Sequence, residues 1–180
     1  IQVVLQQALS DAWQGEPPIR PLVVLAPFTT RPQKHWVESN WTELAQALLK
    51  QGLQPVLLGG PADHDAAARI CGSLPQCLNL VGQLKLDESV ALIAQAQLLI
   101  GVDTGLTHMG SALRIPTVAL FGSTRPYREG PTARTRILYD ALPCSPCRRR
   151  PTCNGAFTCM KQLTTARVLD AALGQLEATP

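Results

Sequence analysis

Short apolar runs alternate along this chain with stretches whose apolar residues recur at helical spacing. Leu22–Ala26, Val56–Leu58, Leu78–Val81, Leu98–Val102 and Thr117–Phe121 are bounded by proline, glycine or polar residues, the pattern of buried strands. Arg136–Tyr139 is a candidate further strand. Between them, Trp41, Leu44, Ala45, Leu48 and Leu49 fall on one helical face, with Ser39 or Asn40 as cap and Gly52 in the stop position. Asp63 to about Leu74 and Asp87–Gln95 read as further helices with Asp63 and Asp87 as N-caps, and Gly105 onward as a small-residue helix. VVLQQALSDAW at the start is also helical in pattern and reads as a linker helix over residues 1–20. The breaker segment Gly15–Pro21 ends it, and a closing helix over 164–178 places Val168, Leu169, Ala172 and Leu176 on one face. Strands alternating with helices imply right-handed crossovers and a parallel sheet with helices on both faces, a Rossmann-like α/β layer in one domain.

Composition narrows the function. With 180 residues, 46% hydrophobic and 16% charged, the chain can bury a core of its own. The net charge is +3 and the one dense basic run is Arg148–Arg150, so a nucleic-acid footprint is not expected. No apolar stretch reaches the roughly 18 to 20 residues a bilayer span needs, so a soluble domain without a transmembrane segment is expected. The chain begins at Ile1 within a helical pattern, and the expectation is that it is part of something longer.

In an open parallel sheet, ligands bind beyond the carboxyl ends of the strands. That rule brings three turns together: Pro27–Arg31 with Lys34, Gly59–His64, and Asp103–His108 within GVDTGLTHMGSAL. Thr29 and Thr30 supply hydroxyls and Lys34 a compact cation. Thr104, Gly105 and Thr107 sit where a helix start offers backbone donors, so a diphosphate is the ligand expected. Asp103 either accepts from a sugar hydroxyl or caps the helix, and His108 is either a site residue or a structural histidine. Glycine in a tight strand-to-helix turn is needed whatever the function, so Gly59–Gly60 alone is a weak signal. Neither a GxGxxG fingerprint nor a GxxxxGK[ST] loop is present, which disfavours a dinucleotide enzyme and a P-loop NTPase.

TTRPQKHW, VESNWTELAQALLKQG, the GGPADHD turn, and GVDTGLTHMGSAL followed by IPTVALFGSTRP together resemble the ADP-heptose lipopolysaccharide heptosyltransferases of glycosyltransferase family 9. The resemblance is to the C-terminal, donor-binding half of a two-domain GT-B enzyme, with an N-terminal acceptor domain absent. It implies that Thr29, Thr30 and Lys34 meet the diphosphate, and that Asp103, Thr104, Gly105 and His108 surround the heptose and phosphates. Leu84 would then lie near the adenine. A donor-contacting glutamate of the family has no clear equal here, and Asp63, His64 or Asp65 is the nearest occupant. The reaction implied is inverting and needs no cofactor, with the catalytic base in the other domain and Lys34 stabilising the leaving group. The acceptor would be a lipid-linked saccharide of the lipopolysaccharide inner core. The implied location is the cytoplasm, peripheral to the inner membrane of a Gram-negative bacterium.

Cys144, Cys147, Cys153 and Cys159 form C-x2-C-x5-C-x5-C, a candidate structural zinc or iron–sulfur site or a set of reduced or adventitiously paired thiols. A second reading follows, in which this segment and Arg148–Arg150 form a metal-stabilised module for nucleic acid or a protein partner. Cys71 and Cys77 read as buried small residues.

Overall fold

The structure, a computed structural model, describes residues 20–126 and 134–178. The linker helix expected before Arg20 lies outside the described residues. Among the described residues six strands, β1 (Leu22–Ala26), β2 (Gln54–Leu57), β3 (Leu78–Asn79), β4 (Leu98–Val102), β5 (Thr117–Phe121) and β6 (Thr135–Tyr139), form one sheet in the order β3-β2-β1-β4-β5-β6. Every neighbouring pair is parallel. The order runs outward in both directions from β1 and β4, the Rossmann arrangement, so the topological switch point lies between those two strands.

Among the described residues six α-helices cover the sheet: α1 (Glu38–Lys50), α2 (His64–Cys71), α3 (Leu86–Gln95), α4 (Gly105–Ala112), α5 (Thr158–Lys161) and α6 (Thr165–Glu177). Strand residues alternate between two cores. Val23 and Leu25 of β1 and Leu98, Ile100 and Val102 of β4 join Trp41, Leu44 and Leu48 of α1 and Val168 and Ala172 of α6. Val24 and Leu99 point the other way, to Leu92 and Ile93 of α3. A strand buried on both faces reads as an unbroken apolar run, which is why these strands are visible in the sequence.

The ends of the elements differ from expectation for physical reasons. Helix α1 starts at Glu38 with Val37 at the N-cap and no side-chain cap, so neither Ser39 nor Asn40 caps it. Burying Trp41, Leu44 and Leu48 stabilises by about 1.5–3 kcal/mol each, whereas a cap contributes about 1 kcal/mol, so burial sets the helix and the cap would only trim its end. Glu38 instead takes a two-pronged bond from Arg69 of α2, at 2.8 Å to each carboxylate oxygen. Asp87 lies inside the first turn of α3, and it is Glu88 that accepts from the Lys85 amide at 2.7 Å.

Strand β2 begins two residues before Val56, with Pro55 inside it. The amide of Gln54 donates to Pro21 on the β1 side, so the proline nitrogen turns to the opposite side, where β3 pairs only from Val56 onward. The missing donor therefore falls beyond the end of β3 and costs no ladder bond. Cys71 and Cys77 are buried as expected and, beyond that expectation, form a disulfide between the end of α2 and the start of β3.

Candidate functional site

The turns that follow β1, β2 and β4 meet at the switch point and enclose a cleft of about 660 Å³. From the first turn it is lined by Phe28, Thr29, Thr30 and Lys34, from the second by Leu58–Asp63, and from the third by Asp103, Thr104, Gly105 and Leu106. Gly59 lets the first two turns pack, because a Cβ there would stand 2.5 Å from the Phe28 ring. Asp63 sits at the N-cap of α2, yet its carboxylate accepts from the Gly60 amide at 2.9 Å and so closes the second turn rather than capping the helix.

Asp103 is the centre of the charge arrangement. Its Oδ2 lies 2.6 Å from Lys34 Nζ and accepts from the Thr124 hydroxyl at 2.5 Å, while its Oδ1 lies 3.0 Å from His108 Nε2. Thr104, not Asp103, occupies the N-cap of α4. Burial by itself would raise the Asp103 carboxyl, but the bonds from His108, Lys34 and Thr124, with the lysine charge, outweigh it and hold the group well below the usual carboxylate range. Asp103 is therefore ionised at any physiological pH. Lys34 is fixed in turn: it ends a tight helical turn at Pro32–Lys34, and its ammonium also reaches the Asp103 carbonyl at 3.4 Å.

No side chain caps the amino end of α4. Its first amides have no acceptor within the helix, so their dipoles and the Lys34 cation give one edge of the cleft a positive potential beside the carboxylate. At Gly105 a Cβ would meet nothing within 4 Å, so the protein's own packing does not require glycine there. A group approaching the helix start closely would.

The other expected residues lie around this centre. Thr107 is buried and spends its hydroxyl on the Val102 carbonyl at 2.7 Å, joining α4 to β4 beneath the cleft. His108 is half-buried behind Asp103. His64 is exposed and its ring flanks Gly82, while Leu84 packs on the α3 side of the sheet. Two residues beside the cleft went unread in the sequence, Thr124 and Gln33. Thr124 follows β5 at the same edge of the sheet, so the strand-end rule that found the other turns could have reached it.

The four cysteines of the C-terminal segment are graded in exposure, from Cys144, exposed, to Cys159, buried. Burial, and then the neighbouring Cys147, Cys144 and Cys153, push the Cys159 thiol up. Among the described residues, which include all four, no group of three or more cysteine, histidine or acidic side chains is gathered to hold a metal ion. These residues as placed do not fit a zinc or iron–sulfur centre, and no chemistry is assigned to one. A larger groove of about 790 Å³ runs between β6 and α6, but one strand and one helix line it rather than converging turns. Its Arg167 is already paired with Asp140 at 2.9 Å. No helix among the described residues is long and apolar enough to cross a membrane.

Comparison with known proteins gives this cleft a context. Residues 3–157 match the profile of glycosyltransferase family 9 (heptosyltransferase). The chain is 32% identical over 158 residues to lipopolysaccharide heptosyltransferase 2 of Salmonella typhimurium, covering 84% of this chain and 45% of that protein. It is 34% identical over 147 residues to lipopolysaccharide heptosyltransferase 1 of Pseudomonas aeruginosa, covering 81% of this chain and 40% of that one. The solved structure of Escherichia coli ADP-heptose lipopolysaccharide heptosyltransferase II superposes with a TM-score of 0.81 at 26% identity, covering 98% of this chain and 52% of the other. The chain thus spans about half the length of the relatives it matches. With the profile covering most of its residues, the chain belongs to glycosyltransferase family 9, the heptosyltransferases.

Proposed function

We propose that the cleft at the switch point binds ADP-heptose and that this chain serves as the donor half of an inverting heptosyltransferase of the GT-B kind. The observation that carries the reading is the fixed Lys34–Asp103 pair, 2.6 Å apart, beside the uncapped amino end of α4. An ammonium has three donors, and among the described residues Lys34 directs its bonds to the carboxylate and carbonyl of one residue. It can turn a further donor to a diphosphate while Asp103 holds it in place. Thr29 and Thr30, which line the cleft on the same turn as Lys34, complete the phosphate contacts. The adenine lies toward the turn of Gly82 and Leu84, in which Gly82 stands against His64 and against Pro61, a residue of the cleft wall. We assign Asp63, in the cleft wall, and His64, beside Gly82, to the ribose.

In the reaction, an acceptor hydroxyl oxygen bonds to the anomeric carbon as the bond from that carbon to the diphosphate oxygen breaks. The electron pair leaves with the diphosphate, and the proton goes to a base. Lys34 and the α4 amides provide preorganised positive potential where that charge develops, which lowers the barrier without reorganisation. We assign the base, and the lipid-linked saccharide of the lipopolysaccharide inner core that it deprotonates, to the portion of the relatives that this chain does not match. Such an acceptor places the enzyme at the cytoplasmic side of the inner membrane.

The test is isothermal titration of the chain with ADP, UDP and adenosine. Binding that ranks ADP first, and falls about 10- to 100-fold on Lys34→Ala as expected for loss of a charge-assisted bond, supports the reading. Equal affinity for ADP and adenosine, or indifference to Lys34→Ala, refutes it.

A further inference from the structure

The cysteine-rich segment lies outside the cleft, yet it is bonded to the Lys34 turn and to the turn after β5, whose Thr124 holds Asp103. Gln33, the residue before Lys34, is 6% exposed, and its side-chain amide donates to the Arg148 carbonyl at 2.9 Å. The Arg148 amide donates in turn to the Ser123 carbonyl at 2.6 Å. Ser123 precedes Thr124, whose hydroxyl bonds Asp103, and Asp103 holds Lys34. The connections close a ring: Lys34, Gln33, Arg148, Ser123, Thr124, Asp103, and back to Lys34. Four separate stretches of chain meet in it, with Gln33 and Arg148 separated by 115 positions.

The junction is held against local preference. Arg148 has φ +55°, in the left-handed region that a non-glycine residue rarely adopts and keeps only where its surroundings over-determine it. Two further bonds anchor the same segment. Ser145 donates its hydroxyl to the Gly122 carbonyl, and Trp36, two residues after Lys34, donates its indole N–H to the Leu163 carbonyl at 2.7 Å. A Cβ at Gly122 would stand 2.6 Å from Met160 Sδ and 2.8 Å from Cys159 Sγ, so the far end of the segment is packed tightly beneath the same turn.

We infer that Gln33 is a positioning residue for Lys34, and that the backbone of Arg148, through its carbonyl and its N–H, clamps the Lys34 turn to the Thr124 turn so that ammonium and carboxylate stay in register at the cleft. The inference rests on the reading that Lys34 meets the donor diphosphate. A buried glutamine is uncommon unless its amide is used, and here it is used on the carbonyl of Arg148, whose own backbone N–H reaches the Thr124 turn. Without the clamp, the ammonium is free to sample positions that do not face the phosphates, and affinity falls in the phosphate-dependent part alone.

The experiment is a double-mutant cycle read by titration with ADP and with adenosine. Gln33→Met keeps the side-chain length and removes the donor. It should weaken ADP about three- to ten-fold, the range for one lost hydrogen bond, and leave adenosine unchanged. On a Lys34→Ala background the same substitution should have no further effect on ADP, because what it positions is gone. Thr124→Val, with Thr124→Ser as the rescuing variant, runs the same cycle from the other side of the ring and serves if Gln33→Met fails to fold. Additive losses in the double variant, equal losses for ADP and adenosine, or no loss at all would overturn the inference. If the unaltered chain does not prefer ADP to adenosine, or Lys34→Ala has no effect, the donor-site reading fails and takes the inference with it. An effect of Lys34→Ala with additive Gln33 losses refutes the inference alone.

Discussion

Asp103 shows how one side chain is committed by its neighbours. Three partners from three parts of the chain, Lys34, His108 and Thr124, satisfy both of its oxygens. Because its carboxyl is held below the ordinary range, the sign of the pH dependence follows directly. The stabilisation is present in full above the unfolded carboxyl value of about 3.9 and is lost as pH falls from there toward the folded value. Asp103→Asn should therefore destabilise the chain by about 1–3 kcal/mol near neutral pH in urea unfolding, and the difference from the unaltered chain should narrow below about pH 4. A difference that widens on acidification would contradict the assignment. The residue scale was only partly legible in the sequence. Asp103 and Lys34 were visible as chemistry-bearing types in strand-end turns, but their pairing, and Thr124 and Gln33 beside them, depend on contacts spanning 21 to 115 positions.

Elements were more legible than their ends. A strand buried on both faces leaves a continuous apolar run, and an amphipathic helix leaves a 3.6-residue repeat, so β1, β4, β5, α1 and α6 announce themselves. Caps and starts do not, because a cap worth about 1 kcal/mol yields to packing worth more. The short α5 within the cysteine segment leaves no periodic trace, being a single turn of four residues. Close packing between elements also escapes a periodicity reading, and Gly101 illustrates it. In β4, a Cβ at this position would overlap the Thr107 hydroxyl of α4 and stand 2.9 Å from the Ala26 Cβ of β1. Gly101→Ala should cost about 1–3 kcal/mol by overpacking the junction beneath the cleft, measured as a lower midpoint at unchanged slope in urea. A change within about 0.5 kcal/mol would show that α4 gives way freely.

For the whole molecule, one rule of topology does most to place the function. The strand order reverses between β1 and β4, and that geometry gathers the turns after β1, β2 and β4 at a single edge. The convergence was readable from the sequence because it needs only the order of elements. The depth and shape of the cleft were not, since they depend on how Phe28 packs over Gly59 and on where Pro61 lies. Size alone would favour the other concavity, the groove between β6 and α6, at about 790 Å³ against about 660 Å³. The two can be separated directly by titrating 15N-labelled chain with ADP and following each backbone amide by NMR. A nucleotide in the switch-point cleft should shift Thr29, Thr30, Gly60, Thr104, Gly105 and Leu106 in one saturable process, with Arg136–Asp140 and Thr164–Gln175 unmoved. Shifts confined to those last two segments, or none at millimolar ADP, would contradict the donor-site account.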